Sequence, residues 1–470
     1  MQSAFLTLTL AVTVHALPGS ANFTSGLLRV DSPVGNLSVF HCHTVHRDLQ
    51  APLLVWMNGG PGASSLIGFF SEVGPHLLNL RSVPASSSPT AEYRLFSNPF
   101  AWSTIGSLLV WEQPAGVGFS RCLGGCPKQW NDTSSAMANL VILRAFFKAN
   151  PSEMARDLFI SGESYGGIYV PLLAQRVLHD DTLRAGGVRL RGIAVGDGCI
   201  GYAVTGGCGL DSIDIFVSVL ERAAPGVSRE ALTAVRHGCT PGELTSGRSP
   251  SQLSKGCAAA VQALFEEVGE YNEYHWASPC GPDGQGNWGD GSAFACATGV
   301  LPTYLSLPAT QRALNVIGAG EPPLTWTQWD GDDPKYNITE VDAQPVYRSL
   351  LAAGVRTLIY SGLADTAVPD VGAERWVPRV AGTSIRAARR KWGTTIVQGV
   401  PGDFAGHVTE YATGLTFATV AGAGHMVPAD RPAAALAMIT AWARGEPLPA
   451  YKGKACKRLW LGRGYGNFCS

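Results

Sequence analysis

The chain has no excess of either charge: 35 lysines and arginines stand against 36 aspartates and glutamates, a formal net of −1 at pH 7. Basic residues form no run apart from a short cluster at 386–391, which reads as a solvated helix face or loop. No electrostatic footprint for nucleic acid is left, and none is expected as a partner. Beyond the N-terminus, no apolar run is long and uninterrupted enough to cross a bilayer, so no membrane span is expected. The 11 cysteines form no paired Cys-x-x-Cys units at metal-ligand spacing, which argues against zinc. The expectation is a protein without metal or cofactor. At 470 residues it can bury a large core, and length permits more than one domain without requiring it.

What is present begins with an apolar stretch ending in the small-residue sequence Val14-His15-Ala16, read as a signal peptide over 1–16. It lacks a basic residue before its apolar core. Four acceptor sequons, at Asn22, Asn36, Asn131 and Asn337, and the cysteine count suit an oxidising compartment. The expected location is the secretory pathway, ending in a lysosome or vacuole or outside the cell. The simplest pairing of the cysteines is local: Cys122 with Cys126, Cys199 with Cys208, Cys239 with Cys257, Cys280 with Cys296 and Cys456 with Cys469. Cys42 is left over, and spacing alone does not fix this connectivity.

Strand-like apolar runs fall at 37–45, 53–57, 108–111, 158–160, 190–195, 355–360 and 415–420, several of them flat enough to be buried on both faces. Helical patterns at 135–149, 168–178, 346–353 and 432–444 alternate with them. That alternation predicts an α/β fold, a mostly parallel central sheet with helices on both faces, whose first two strands, 37–45 and 53–57, are expected to form an antiparallel hairpin around Pro33-Val34-Gly35-Asn36. Between 199 and 298 the pattern changes to glycine-rich, cysteine-bearing turns with short helices, and aromatic residues such as Tyr271, Tyr274 and Trp276 point to an ordered subdomain. The expected organisation is a core over 22–198, an inserted cap over 199–298, a second part of the core over 299–450 and a tail over 451–470.

The chemistry is concentrated at Gly162-Glu163-Ser164-Tyr165-Gly166, which follows an apolar strand and opens a helix. A bare Gly-x-Ser-x-Gly is weak in a chain with 56 glycines, but strand, motif and helix together describe a nucleophile elbow carrying Ser164. A serine needs a base, and the base a carboxylate. His425 lies on a glycine-flexed loop after the strand at 415–420, and Asp365 follows the strand at 355–360. The order Ser, Asp, His is that of the α/β-hydrolases. His407 and His275 compete with His425 without following a strand through a glycine turn, and Asp370 competes with Asp365 from further down the chain. Oxyanion donors are expected from the Tyr165 N–H and, in Asn58-Gly59-Gly60-Pro61-Gly62, from the Gly60 N–H.

With Trp56 to Gly62, Glu72-Val73-Gly74-Pro75, Asn98-Pro99-Phe100-Ala101-Trp102, Gln113-Pro114-Ala115-Gly116-Val117-Gly118-Phe119-Ser120 and Gly424 to Pro428 in the same order and spacing, the chain resembles a serine carboxypeptidase over about 27–449. The resemblance implies an α/β-hydrolase fold and the triad Ser164, Asp365 and His425. It also implies a recognition site for the C-terminal carboxylate of a peptide or protein substrate at Trp56, Asn58, Gly59, Glu72 and Glu163. Carboxylates meeting a carboxylate repel unless one is protonated, so activity is expected to be best at acidic pH. Met426 is implied in the pocket of the leaving residue, where an adaptable apolar side chain favours hydrophobic residues.

Several positions depart from the family pattern. Ala63 and the region of Asp330 lack a common cysteine pair, Arg121 replaces an aromatic, Asp197 replaces an asparagine, and Leu363 stands where an acid often precedes the catalytic aspartate. Two alternatives remain. One is an acyltransferase of the same family, disfavoured because Asn58 and Glu163 are retained. The other is a protective or scaffolding protein with carboxypeptidase activity. Monomer and homodimer are both compatible with the sequence.

Overall fold

The computed structural model describes residues 23–83, 93–210, 212–223, 226–245, 252–277, 299–327, 335–394 and 402–452, with the backbone of 456–460 and 465–469. An eleven-stranded sheet organises the described residues. In chain order its strands are β1 (Phe23–Ser32), β2 (Gly35–Thr44), β3 (Leu53–Met57), β4 (Ser107–Trp111), β5 (Arg121–Gly124), β6 (Asp157–Glu163), β7 (Arg189–Gly196), β8 (Arg356–Gly362), β9 (Ile385–Gly393), β10 (Phe404–Tyr411) and β11 (Leu415–Val420). The spatial order is β1-β2-β4-β3-β6-β7-β8-β11-β10-β9, with β5 also paired to β2. From β4 to β11 neighbouring strands are parallel, whereas β1, β2, β9 and β10 join antiparallel at the two margins.

The period of two explains why the central strands read as continuous apolar runs. Successive side chains point to opposite faces, so a strand covered on both sides needs an apolar residue at every position. Leu53, Val55 and Met57 of β3 enter one core with Leu158, Ile160, Ile193, Val195 and Ile359. Leu54, Trp56, Phe159, Ala194, Leu358 and Tyr360, the alternating positions, enter the other. The first core is closed by α1 (Asp132–Ala149), α2 (Gly166–Leu178), α6 (Gln344–Ala352) and α7 (Asp370–Ala381), through residues such as Ile142, Ile168, Tyr347 and Trp376. The second is closed by α8 (Pro432–Ala443) and by the helix Val300–Ser306, through Leu436, Trp442, Leu301 and Tyr304. The fold is the α/β-hydrolase fold.

The stretch after β7 departs from this layering. Here α3 (Ile213–Ala223), α4 (Arg229–Gly238) and α5 (Lys255–Val268) build a small core of their own from residues including Val217, Leu220, Val235, Val261 and Leu264. Ion pairs fasten it to the sheet side: Arg222 to Asp370 at 3.1 Å and to Glu374 at 2.7 Å, and Arg375 of α7 to Asp214 at 2.7 Å. The disulfides Cys122–Cys126, Cys199–Cys208 and Cys239–Cys257 are present, and Cys42 is a buried free thiol. Cys280 and Cys296 lie outside the described residues. Cys456 and Cys469 face each other in the register of an antiparallel pair, with their side chains undescribed. No helix among the described residues is long and apolar enough to cross a membrane.

The basic cluster at 386–391 is neither a helix face nor a loop but most of β9. It was misread because an exposed edge strand carries no apolar run. Its charge is matched by the neighbouring elements, Arg390 and Arg386 pairing with Glu410 of β10 and Arg389 with Glu374 of α7. The turn at 33–36 does close a hairpin, but between β2 and the unanticipated β1; the strand at 53–57 is not its partner and instead lies parallel between β4 and β6. Of the sequons, Asn22 lies outside the described residues, and Asn36 and Asn337 are exposed. Asn131 is half-buried: its Oδ1 caps α1 by accepting from Ser134 N at 2.8 Å.

The residue after that cap, Asp132, ties three segments together. Its carboxylate accepts from Tyr165 Oη (2.7 Å), Tyr336 Oη (2.9 Å), Thr339 N (2.6 Å), Thr339 Oγ1 (3.0 Å) and Glu340 N (2.7 Å). An amide there would either turn its N–H₂ toward the two backbone N–H groups, which only donate, or force both phenols to give up their bonds and accept instead. Asp132→Asn should lower stability by about 3 kcal/mol. Urea unfolding with the wild-type midpoint would show that this knot carries no energy.

Candidate active site

The loops that follow β3, β6, β7, β8 and β11, five strands lying side by side, carry the residues singled out from the sequence. At the end of β6 the chain turns through Ser164, whose φ of +60° is the left-handed conformation a nucleophile elbow requires. Ser164 N donates to Gly196 O at 3.0 Å, and Ser164 O accepts from Gly167 N and Cys199 N, both at 2.9 Å. Two glycines make this crowding possible. A Cβ on Gly167 would stand 2.1 Å from Cys199 O, and one on Gly59 would stand 2.3 Å from Tyr165 N. The loop after β3 therefore lies directly against the amide that follows the serine, which brings the Gly60 segment (φ +106°) and Tyr165 N together.

Asp365 and His425 meet two strands further along. His425 Nδ1 lies 2.8 Å from Asp365 Oδ2, and both side chains are buried. Asp365 is held by two further donors, Ala367 N to Oδ1 at 2.8 Å and Val368 N to Oδ2 at 3.1 Å. With the carboxylate as its partner, Nδ1 is the donor and Nε2 is left as the basic nitrogen. Nε2 is buried without a protein hydrogen-bond partner. Ser164 is only half-buried.

The residues expected to meet a carboxylate occupy two layers. The Asn58 Oδ1 atom accepts from Trp56 Nε1 at 2.8 Å and from Gly68 N at 3.1 Å, which fixes the carboxamide with its N–H₂ free to donate elsewhere. Trp56 is fully buried with its single donor spent on Asn58, so it orients that residue. Glu72 and Glu163 are buried facing each other, with Asn58 as the other neighbour of Glu72. Burial, with too few donors to offset it, pushes the Glu72 carboxyl up to about 7. Burial and the adjoining Glu72 hold Glu163 well above the usual carboxylate range. Two carboxylates cannot hydrogen-bond each other, but one proton between them supplies the missing donor. Met426, next to His425, is half-buried and precedes the short helix Val427–Asp430.

The competing residues stand elsewhere. Asp370 begins α7 and pairs with Arg222, and His407 lies on β10 with its ring against Phe404. His275 is close to the site through another acid, its Nε2 lying 3.9 Å from Asp430 Oδ2.

His275 belongs to a segment that sequence reasoning noted only for its aromatics. Glu273 O accepts from Thr366 N (2.9 Å) and Ala367 N (3.0 Å) in the aspartate loop, and Ala364 O accepts from Trp276 N (2.7 Å). Tyr274 O accepts from His425 N at 2.7 Å, and its ring meets the imidazole edge-on at 4.8 Å. One strap from the insertion thus holds both loops.

Glu112, one residue before a recognised motif, was also missed. Buried and pushed up to about 7 by that burial, it accepts from Ser64 Oγ (2.5 Å), Phe119 N (2.6 Å) and Trp326 Nε1 (2.8 Å), bracing the loop after β3. The signal that could have found it is an acid ending an otherwise apolar strand.

Comparison with known proteins shows the family and the fold. A profile of the serine carboxypeptidase family matches residues 18–445. Serine carboxypeptidase-like 36 of Arabidopsis thaliana is 28% identical over 93% of this chain and 86% of its own length. The lysosomal protective protein of Mus musculus is 28% identical, with 85% of each chain covered. A prohormone-processing carboxypeptidase from Saccharomyces cerevisiae has the same fold, with a TM-score of 0.68 at 18% identity over 97% of this chain and 96% of that one. The chain belongs to the serine carboxypeptidase family. Its class is that of a serine-type peptide hydrolase.

A group held above its ordinary pKa binds its proton more tightly in the native than in the unfolded state, and stability then falls as pH rises between the two values. For Glu72 that window runs from 4.5 to about 7. The buried His41, lowered to about 4, acts in the opposite sense over part of the same range. The clean measurement is therefore the difference between Glu72→Gln and wild type. It should be constant below pH 4.5 and grow in favour of the variant as pH rises through about 7, by an amount on the order of 3 kcal/mol. A difference that did not change with pH would mean that Glu72 ionises normally.

Proposed function

We propose that the protein is a carboxypeptidase that removes C-terminal residues from peptides through an acyl-enzyme on Ser164. The observation that carries this reading is the coupling of a serine elbow and Asp365–His425 pair to a buried pair of glutamates, Glu72 and Glu163, beside the donor Asn58. A general esterase has no use for protonated acids next to its nucleophile. An enzyme that must hold a free carboxylate does.

In this reading His425 Nε2 takes the proton of Ser164 Oγ as the oxygen attacks the carbonyl of the last peptide bond, and Asp365 holds the imidazole by Nδ1. The Gly60 and Tyr165 amides receive the oxyanion. The imidazolium returns its proton to the departing amino acid, whose carboxylate is held by Asn58 and by whichever of Glu72 and Glu163 carries a proton. Water then attacks the acyl-enzyme by the same route. Trp56 fixes Asn58, and Gly59 lets the loop approach the elbow. Met426 lines the pocket of the leaving residue and favours hydrophobic side chains there. The three disulfides among the described residues, exposed sequons at Asn36 and Asn337 and a requirement for protonated acids together support a secreted or lysosomal or vacuolar enzyme working in an acidic fluid.

An N-blocked dipeptide and its C-terminal amide separate the parts of this proposal. With the free acid, KM should begin to rise as pH passes about 7, where Glu72 ionises and its charge opposes the substrate carboxylate while Glu163 still holds its proton, and kcat should change less. The amide should be a poorer substrate without that dependence. Ser164→Ala should lower kcat by about 10⁴-fold or more. Equal turnover and identical pH profiles for the two substrates would dismiss carboxylate recognition, and an active Ser164→Ala would dismiss the mechanism. Across a series of leaving residues, Leu and Phe should be released faster than Lys and Arg. The reverse order would remove Met426 from the pocket.

A further inference from the structure

Between the strand that carries the elbow and the strand that carries Asp365 runs β7, whose C-terminal end brings a third acid into the site. Asp197, directly after Gly196, is held in a left-handed conformation (φ +44°) that few residues other than glycine, asparagine and aspartate adopt readily. Its backbone N–H donates to Tyr360 O at 2.8 Å. Its side chain has no exposure to solvent. Oδ1 accepts from Gly362 N at 2.9 Å, where β8 gives way to the loop of Asp365. Oδ2 is buried without a partner, and the carboxyl of Asp365 is within hydrogen-bonding reach.

The donors decide which of the two acids carries a proton. Asp365 receives Ala367 N, Val368 N and His425 Nδ1, all of which favour its ionised form. Asp197 receives only Gly362 N. The charged groups acting on Asp197 from neighbouring elements are Asp365 and, at the end of β6, Glu163, both acids. The phenol of Tyr360 on β8 also packs here, its hydroxyl 2.6 Å from where a Cβ on Gly196 would be, and Asp197 acts on it in turn. His425, the basic group of the site, is already engaged by Asp365. Ionised, Asp197 would leave two desolvated negative charges side by side.

We propose that Asp197 is a neutral carboxylic acid that donates a hydrogen bond from Oδ2 to Asp365, making it a positioning residue for the Asp365–His425 pair. Burial beside Asp365 holds its carboxyl well above the usual range, in keeping with this assignment. The consequence is a second, separate pH limit on the enzyme. The glutamate pair governs the binding of a free carboxylate, whereas loss of the Asp197 proton removes a donor from Asp365 and sets a like charge against it. That weakens the chemical step for every substrate, including those with no carboxylate. This role rests on the carboxypeptidase reading above, but the protonation of Asp197 does not.

The test has two arms, run on the full-length protein. In the first, infrared difference spectra of wild type against Asp197→Asn are recorded across the pH range. A carboxylic-acid C=O band present in wild type and missing from the variant is expected. Its absence at every pH would overturn the proposal whether or not the enzyme is a peptidase. In the second, kcat is measured on an ester of an N-blocked amino acid, which has no free carboxylate, for wild type, Asp197→Asn and Asp197→Ala, with thermal melts to show that each is folded.

The carboxamide keeps an N–H donor at all pH values. Asp197→Asn should therefore stay within a few fold of wild type at acidic pH and hold its kcat where the wild type declines. Asp197→Ala should sit about tenfold below the acidic-pH value of the wild type at every pH. Coincident profiles for wild type and Asp197→Asn, or a folded Asp197→Asn that is inactive throughout, would overturn the positioning role. Wild type that turns over neither the ester nor the free-acid dipeptide, but with the band present, would sink the carboxypeptidase reading and leave the proton on Asp197 supported.

Discussion

The architecture of the site depends on one tight approach: the loop after β3 passes so close to the elbow that a single added carbon on Gly59 would strike the amide of Tyr165. Ser164 can be left-handed only because its neighbours are fixed, its N–H by Gly196 and its carbonyl by Gly167 and Cys199. Those anchors come from the next strand, β7, and from the first turn of α2, so the strain of one residue is shared across the sheet. Asp132 extends the same fixation outward. It holds the Tyr165 hydroxyl and so fixes the side chain of the residue whose amide faces the loop.

The electrostatics follow from placing acids on adjoining strand ends. Glu163, Asp197 and Asp365 end neighbouring strands, and Glu72 comes in from the loop beyond β3, all of them buried. His425 is the basic group set among them. A sheet core offers little water to stabilise so much negative charge, and protons are the cheapest remedy. The acids differ in their donors, and the differences sort them into roles. Asp365 has three donors, whereas Glu163 and Asp197, with acids for neighbours, hold a proton more tightly than ordinary carboxyls.

Much of this was legible in the sequence because buried parallel strands write themselves as flat apolar runs. The runs at 53–57 and 415–420 coincide with β3 and β11, and the loops beyond the strands then locate Ser164, Asp365 and His425. Other features left no such trace. The edge strand β9 is mostly exposed and basic, and its pairing with β10 depends on backbone bonds and on Glu410. The strap at 273–276 works almost wholly through carbonyls and amides, which every residue has, so its sequence names no task. Asp132 and Glu112 are single acids, and their importance lies in donors brought from distant parts of the chain.

That strap also shows what the insertion contributes. The imidazole and its carboxylate are held through a segment that precedes both in the chain and packs with a different core. A shift of the insertion therefore reaches the Asp365 loop and His425 together, through backbone hydrogen bonds, without passing through the strand that carries Ser164. The insertion is as much a part of the frame of this pair as the sheet is.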